Sequence, residues 1–156
     1  MQPTTLYLGQ KDAAQCVMIR RIVNDLNLNV SIDIVPTVRE ADGLALSSRN
    51  AYLTPLERKA APILYKSLCA ARNVFDAHKN KEGNSSGKGN LRSTLLYDAV
   101  ESVLRSEPLV PDIHYISIDN RETMRSLDNV ILSEGAIVSI ACQVGSVRLI
   151  DNIVLS

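Results

Sequence analysis

The chain has 156 residues, about one domain's worth, long enough to bury a real core and too short for two large ones. At 46% hydrophobic and 22% charged it falls in the globular range, which excludes a wholly disordered or collagen-like chain. The 17 Lys and Arg balance 17 Asp and Glu, which excludes the strongly basic footprint of a nucleic-acid-coating protein, so any anionic ligand must be held by a few placed residues.

No window approaches the roughly 18 consecutive apolar residues of a membrane helix. Residues 1–4 lack the basic-then-apolar pattern of a secretory signal. Cys16, Cys69 and Cys142 are scattered without C-x-x-C spacing, and His78 and His114 are equally isolated. This set reads as reduced thiols of a cytoplasmic protein, with neither a disulfide frame nor a resident metal.

Residues 5–8 are apolar and β-prone and end at Gly9, which predicts a short buried strand running into a turn. Over residues 13–26, Cys16, Ile19, Ile22, Val23 and Leu26 recur at three- and four-residue steps, the spacing of an amphipathic helix. Val30, Ile32 and Ile34 then alternate with Ser31, Asp33 and Val35 as a second strand would. Strand, helix and strand in about 30 residues form a βαβ unit with a right-handed crossover and a parallel pair. Residues 36–50 show no periodicity and read as a loop of a length usually reserved for function or disorder.

Thr54-Pro55-Leu56-Glu57 supplies an N-cap threonine, a proline at the first helical position and a glutamate at the third, a capping box. The helix it opens is expected to run to about residue 77. Residues 79–90, KNKEGNSSGKGN, are a polar tract expected to form a flexible insertion. Helical spacing returns over residues 91–105, before Pro108 and Pro111. The remainder is mostly β, with strands over 112–119, 136–144 and 147–155, a hairpin turn at 143–146 and a short helix around 122–127. The expected fold class is therefore α/β plus α+β: a βαβ unit followed by a small domain with two long helices and an antiparallel sheet.

Two segments carry residues suited to a phosphate. Gly9-Gln10-Lys11-Asp12 follows a strand at the start of a helix, where free N–H groups and partial positive charge favour anions, and Lys11 adds a full charge. Asp12 and Gln15 equally fit a second capping box, so a purely structural role stands beside the binding one. Ser47-Ser48-Arg49 offers two hydroxyls and a guanidinium, a set that grips polyphosphate, although polar turns of this kind are common.

These residues and their neighbours closely resemble one family. Residues 9–15 (GQKDAAQ), 19–26 (IRRIVNDL), 38–50 (VREADGLALSSRN), Tyr52-Leu53-Thr54, Glu57-Arg58 and residues 148–152 (RLIDN) are similar to the second half of the pantoate–β-alanine ligases. The resemblance implies a remnant βαβ unit of a Rossmann-like nucleotidyltransferase domain over residues 1–45 and a C-terminal lid domain over residues 46–156. It implies an ATP-dependent condensation of pantoate with β-alanine through pantoyl adenylate, with Mg²⁺ accompanying ATP and no tightly bound cofactor. Gly9 and Asp12 would hold the ribose, Val38 and Leu46 the adenine, Gln15 the pantoate, and Lys11 with Ser47, Ser48 and Arg49 the phosphates.

Family members also carry an earlier histidine-containing, HIGH-like motif, and neither His78 nor His114 stands in such a context. Gln10 replaces a common glutamate. The expectation is a C-terminal portion, inactive alone, that associates with itself as a homo-oligomer; its expected partners are ATP, pantoate and β-alanine, not nucleic acid or membrane. The rival reading is a noncatalytic α+β association module whose polar segments are only caps and turns.

Overall fold

The computed structural model describes residues 3–82 and 89–156. Strands β1 (Thr5–Gly9) and β2 (Ser31–Val35) pair in parallel, Thr5 opposite Ser31 and Gly9 opposite Val35, with helix α1 (Ala13–Asp25) connecting them. A 3₁₀ turn, Gln10–Asp12, feeds α1, whose buried residues are Ala13, Cys16, Val17 and Val23. The Cys16 thiol donates to the Gly9 carbonyl at 3.3 Å, so it is the core residue its spacing indicates.

Residues 36–50 are ordered as a narrow hairpin. The Leu46 N–H donates to the Val38 carbonyl, Arg39 bridges Ala45, and the Glu40 N–H donates to the Leu44 carbonyl. Gly43 makes the turn at φ 92°, a conformation that favours glycine, and a Cβ there would overlap the Tyr65 ring. Arg58 grips the turn from outside, donating to Asp42 at 2.6 Å and to Glu40 at 3.1 Å.

The Thr54 capping box forms as expected and opens α2 (Pro55–Ala60). The single helix expected to reach residue 77 is instead two. Pro62 has no N–H to donate and its ring crowds the preceding turn, so α2 stops and α3 (Ile63–Glu82) begins beyond it. α3 runs into the polar tract expected to be flexible at 79–90, and Asn90 already belongs to β3 (Asn90–Arg92). Residues 83–88 of that tract lie outside the described residues.

β3 corrects a second expectation. Leu91 fits the helical stripe that follows, yet it pairs across an antiparallel ladder with Val130 of β5 (Asn129–Ile131), and both side chains are buried. Helix α4 therefore starts later, at Ser93–Arg105. The short helix expected around 122–127 is absent: the Asn120 side-chain oxygen accepts the N–H groups of Glu122 and Thr123, both at 3.0 Å, which closes a turn.

Strands β4 (Ile113–Asp119), β6 (Ala136–Val144) and β7 (Val147–Leu155) form an antiparallel sheet in the order β4-β6-β7. Helices α3 and α4 cover one face, burying Leu64, Leu68, Phe75, Leu96, Val100 and Leu104 with Val138 and Ile140. The register places Ser117, Ser139 and Asn152 in one row across the three strands, beside the residues that open α1. Among the described residues no helix is long and apolar enough to cross a membrane.

Candidate active site

Lys11, Asp12 and Gln15 sit beyond the carboxyl end of β1, the position where open α/β units bind ligands. Asp12 does not cap α1: its backbone lies at φ −103°, ψ 61°, and its carboxylate makes no capping bond. The capping box expected of Asp12 and Gln15 is therefore not formed. Instead Lys11, Asp12 and Gln15 form one wall of a cleft of about 520 Å³ whose other wall includes Tyr115, Ser117 and Ser139.

The second phosphate-suited segment forms a 3₁₀ turn, Ser48–Tyr52, whose N-cap is Ser47, its hydroxyl accepting the Arg49 N–H at 3.3 Å. Ser47 and Arg49 meet Lys11 around a small depression that also includes Asn50 and Asp151. Its interior measures about 10 Å³, room for one water, so a polyphosphate would lie across its rim. Lys11 thus stands at the junction of the cleft and the depression.

Ser48 and Gly9 line neither, although the space around the Gly9 Cα is open. Val38 and Leu46 are opposite each other on the 36–50 hairpin and are 64% and 51% exposed, an outward-facing apolar pair.

Three residues hold these parts together, and residue spacing did not reveal them. Arg39 donates both guanidinium arms to the buried Asp151, at 2.6 and 2.9 Å, and also donates to the Gly43 carbonyl at 3.0 Å. Its guanidinium stacks over the Tyr65 ring, 4.1 Å from the centroid. The next residue along β7 from Asp151, Asn152, donates from its amide to the carbonyls of Gln10 and Lys11 at 3.0 and 2.7 Å, and accepts from the Gln10 amide at 3.2 Å. The only signal of Arg39, Asp151 and Asn152 in the sequence is that all three fall inside the family-like runs.

Arg39 and Arg58, near Arg49 in sequence, are already paired, Arg39 with Asp151 and Arg58 with both Asp42 and Glu40. Among the described residues neither Lys11 nor Arg49 has such a partner within 4.0 Å. Elsewhere, His78 faces the Val74 carbonyl one turn back along its helix, and His114 lies beside Asp112 and Arg148, so neither is set against a nucleophile.

The model of the pantoate-beta-alanine ligase family matches residues 1–154. The chain belongs to this family. A pantothenate synthetase from Chloroflexus aggregans is 49% identical over 152 residues, which are 97% of this chain and 50% of that protein. The crystal structure of pantothenate synthetase from Thermus thermophilus superposes with a TM-score of 0.80 at 40% identity, over 97% of this chain and 50% of that one. The pantoate-beta-alanine ligase from Francisella tularensis, solved in complex with beta-gamma ATP and beta-alanine, aligns at 27% identity with a TM-score of 0.56, over 98% of this chain and 44% of its own. The chain spans about half the length of the curated relatives it matches. It has the pantothenate synthetase fold, mixed α/β with an antiparallel sheet.

Proposed function

We propose that this chain is the C-terminal portion of an enzyme that condenses pantoate with β-alanine, driven by ATP. The observation that carries this reading is the convergence of Lys11 with Ser47 and Arg49, from segments far apart in sequence, at the edge of a cleft that also holds Asp12 and Gln15. The beta-gamma ATP and beta-alanine bound by the Francisella relative support the same substrates here.

In this reading a pantoate carboxylate oxygen attacks the α-phosphorus of ATP, the bond to pyrophosphate breaks, and pantoyl adenylate forms. The amine of β-alanine then attacks the acyl carbon, loses a proton and displaces AMP. Lys11 and Arg49 are fixed cations where negative charge grows on the phosphates, which stabilises the transition state more than the ground state. Ser47 and Ser48 donate to phosphate oxygens, Gln15 orients pantoate, Gly9 and Asp12 hold the ribose, and the exposed pair Val38 and Leu46 offers an apolar seat for adenine. Mg²⁺ enters on the nucleotide, since this small cation keeps most of its waters and is carried by substrate phosphates.

The β1–α1–β2 unit is the end of a Rossmann-like domain over residues 1–45, and residues 46–156 are its lid, with Leu44 reaching into the lid's core. The chain is inactive alone, and the whole enzyme is a cytoplasmic homo-oligomer. A chimera tests the proposal: this chain replaces the matching C-terminal half of the Chloroflexus aggregans relative. The chimera is expected to form pantothenate, Lys11→Ala to abolish it, and the 156 residues alone to form none. A folded chimera without activity, or robust activity of the chain alone, would contradict it.

A further inference from the structure

Asp151 and Asn152 are neighbours in the middle of β7, and neighbouring side chains on a strand point to opposite faces. Each reaches a different half of the proposed phosphate site. Toward one face the Asp151 carboxylate takes both arms of Arg39, which fixes the hairpin that leads directly into Ser47 and Arg49. Arg39 reinforces this by donating to the Gly43 carbonyl within its own hairpin and to the Asn152 carbonyl at 3.3 Å. Toward the other face the Asn152 amide holds the main chain of Gln10 and Lys11, which fixes where the Lys11 side chain starts. The two residues are also tied to each other, the Asn152 N–H donating to Asp151 Oδ1 at 2.8 Å.

Both side chains are buried, Asp151 at 3% and Asn152 at 4% exposure, and their polar groups are turned inward on these partners. A buried carboxylate or amide is tolerated when it is paired, and removing one partner leaves the other buried and unpaired, so each contact resists release.

We propose that Asp151 and Asn152 are positioning residues for the nucleotide, a two-faced clamp on β7 that keeps the Lys11 segment and the Ser47 to Arg49 segment at the separation one polyphosphate spans. This rests on the ATP reading above. A ligand held by two segments gains from their fixed separation as a bivalent ligand gains from a matched linker. Releasing either segment forfeits that gain, and releasing both forfeits it only once.

The test uses the 156-residue chain with the variants Asp151→Asn, Asn152→Ala, their double, and Arg39→Lys, which keeps the charge and loses the fork. Amide hydrogen exchange reads the clamp, and ATP titration reads its consequence. Asp151→Asn and Arg39→Lys are expected to speed exchange over residues 38–46 about tenfold, and Asn152→Ala over residues 10–15, with α3 and β6 unchanged. Each single variant is expected to weaken ATP binding about tenfold and the double no further. Unchanged exchange in these segments, or ATP binding equal in wild type and variants, overturns the clamp and leaves the ATP reading standing. A wild-type chain that binds no ATP at millimolar concentration overturns both.

Discussion

The Glu57 carboxylate accepts the N–H of Ser146 at 3.0 Å, 89 residues along the chain, so the first turn of α2 is bonded to the tip of the β6–β7 hairpin. Its other oxygen accepts the Thr54 N–H at 2.7 Å and completes the capping box. Both bonds favour the ionised form, and the Thr54 bond first and the Ser146 bond second hold the Glu57 pKa below its ordinary 4.5. Arg58, and then the Leu44 N–H, likewise hold Asp42 below 3.8. A carboxylate whose folded pKa is depressed contributes stability above the unfolded value and loses it as pH falls through the folded one. Thermal midpoints measured from pH 6 downward are expected to stay level until about pH 4.5 and then fall. Glu57→Gln is expected to lower the midpoint at pH 6 by a few degrees and to flatten the acid fall.

Gly43 is required twice over, by φ 92° and by the Tyr65 ring against its Cα. Gly43→Ala is expected to destabilise the chain by about 2 kcal/mol in urea unfolding, the scale of strain for a side chain in that region. Displacing Tyr65 also unseats Arg39, so loop exchange over residues 38–46 is expected to rise in the same variant.

Burial pushes the Cys142 thiol up to about 12, and it also raises Cys16, with the nearby Asp12 charge adding to the effect. Cys69 is only partly buried. Alkylation of the native chain at about pH 8 is expected to label Cys69 first and Cys142 last, because the thiolate is the nucleophile. Mass spectrometry of the digest reads the order directly.

Among the described residues β1 and β2 pair only with each other, and Tyr7 is 65% exposed beside partly exposed Leu6 and Val35. Unpaired strand edges with apolar side chains invite pairing with another chain. Light scattering is expected to show a mass above the monomer that rises with concentration, and Tyr7→Lys to reduce it. A monomer at every concentration would contradict this.

Local signals were legible and long-range ones were not, for a physical reason. The Thr54 capping box and the two strands of the β6–β7 hairpin are written in adjacent residues, and all stand where those residues place them. The break at Pro62 is also local, but the apolar stripe continues across it and hides it. Leu91 misleads because its helical spacing lost to pairing with Val130, and the linking helix expected around 122–127 gave way to a turn closed by the Asn120 side chain. Within the site, Lys11, Ser47 and Arg49 are visible as phosphate-suited types, and the structure gathers them. The residues that do the gathering, Asp151 and Asn152, lie 112 and more residues from their partners, a distance over which no spacing rule acts.

The proposed function places Lys11 and Arg49 against the phosphates of ATP, and the acylation rate of Lys11 in the intact chain with and without ATP measures that contact. The digest carries its own controls in Lys59 and Lys66, which are exposed and distant from Lys11 in sequence. ATP is expected to slow Lys11 several-fold while leaving Lys59 and Lys66 unchanged, and Arg49→Ala to remove the protection. Lys11 acylated at the same rate in the presence of millimolar ATP would contradict the account.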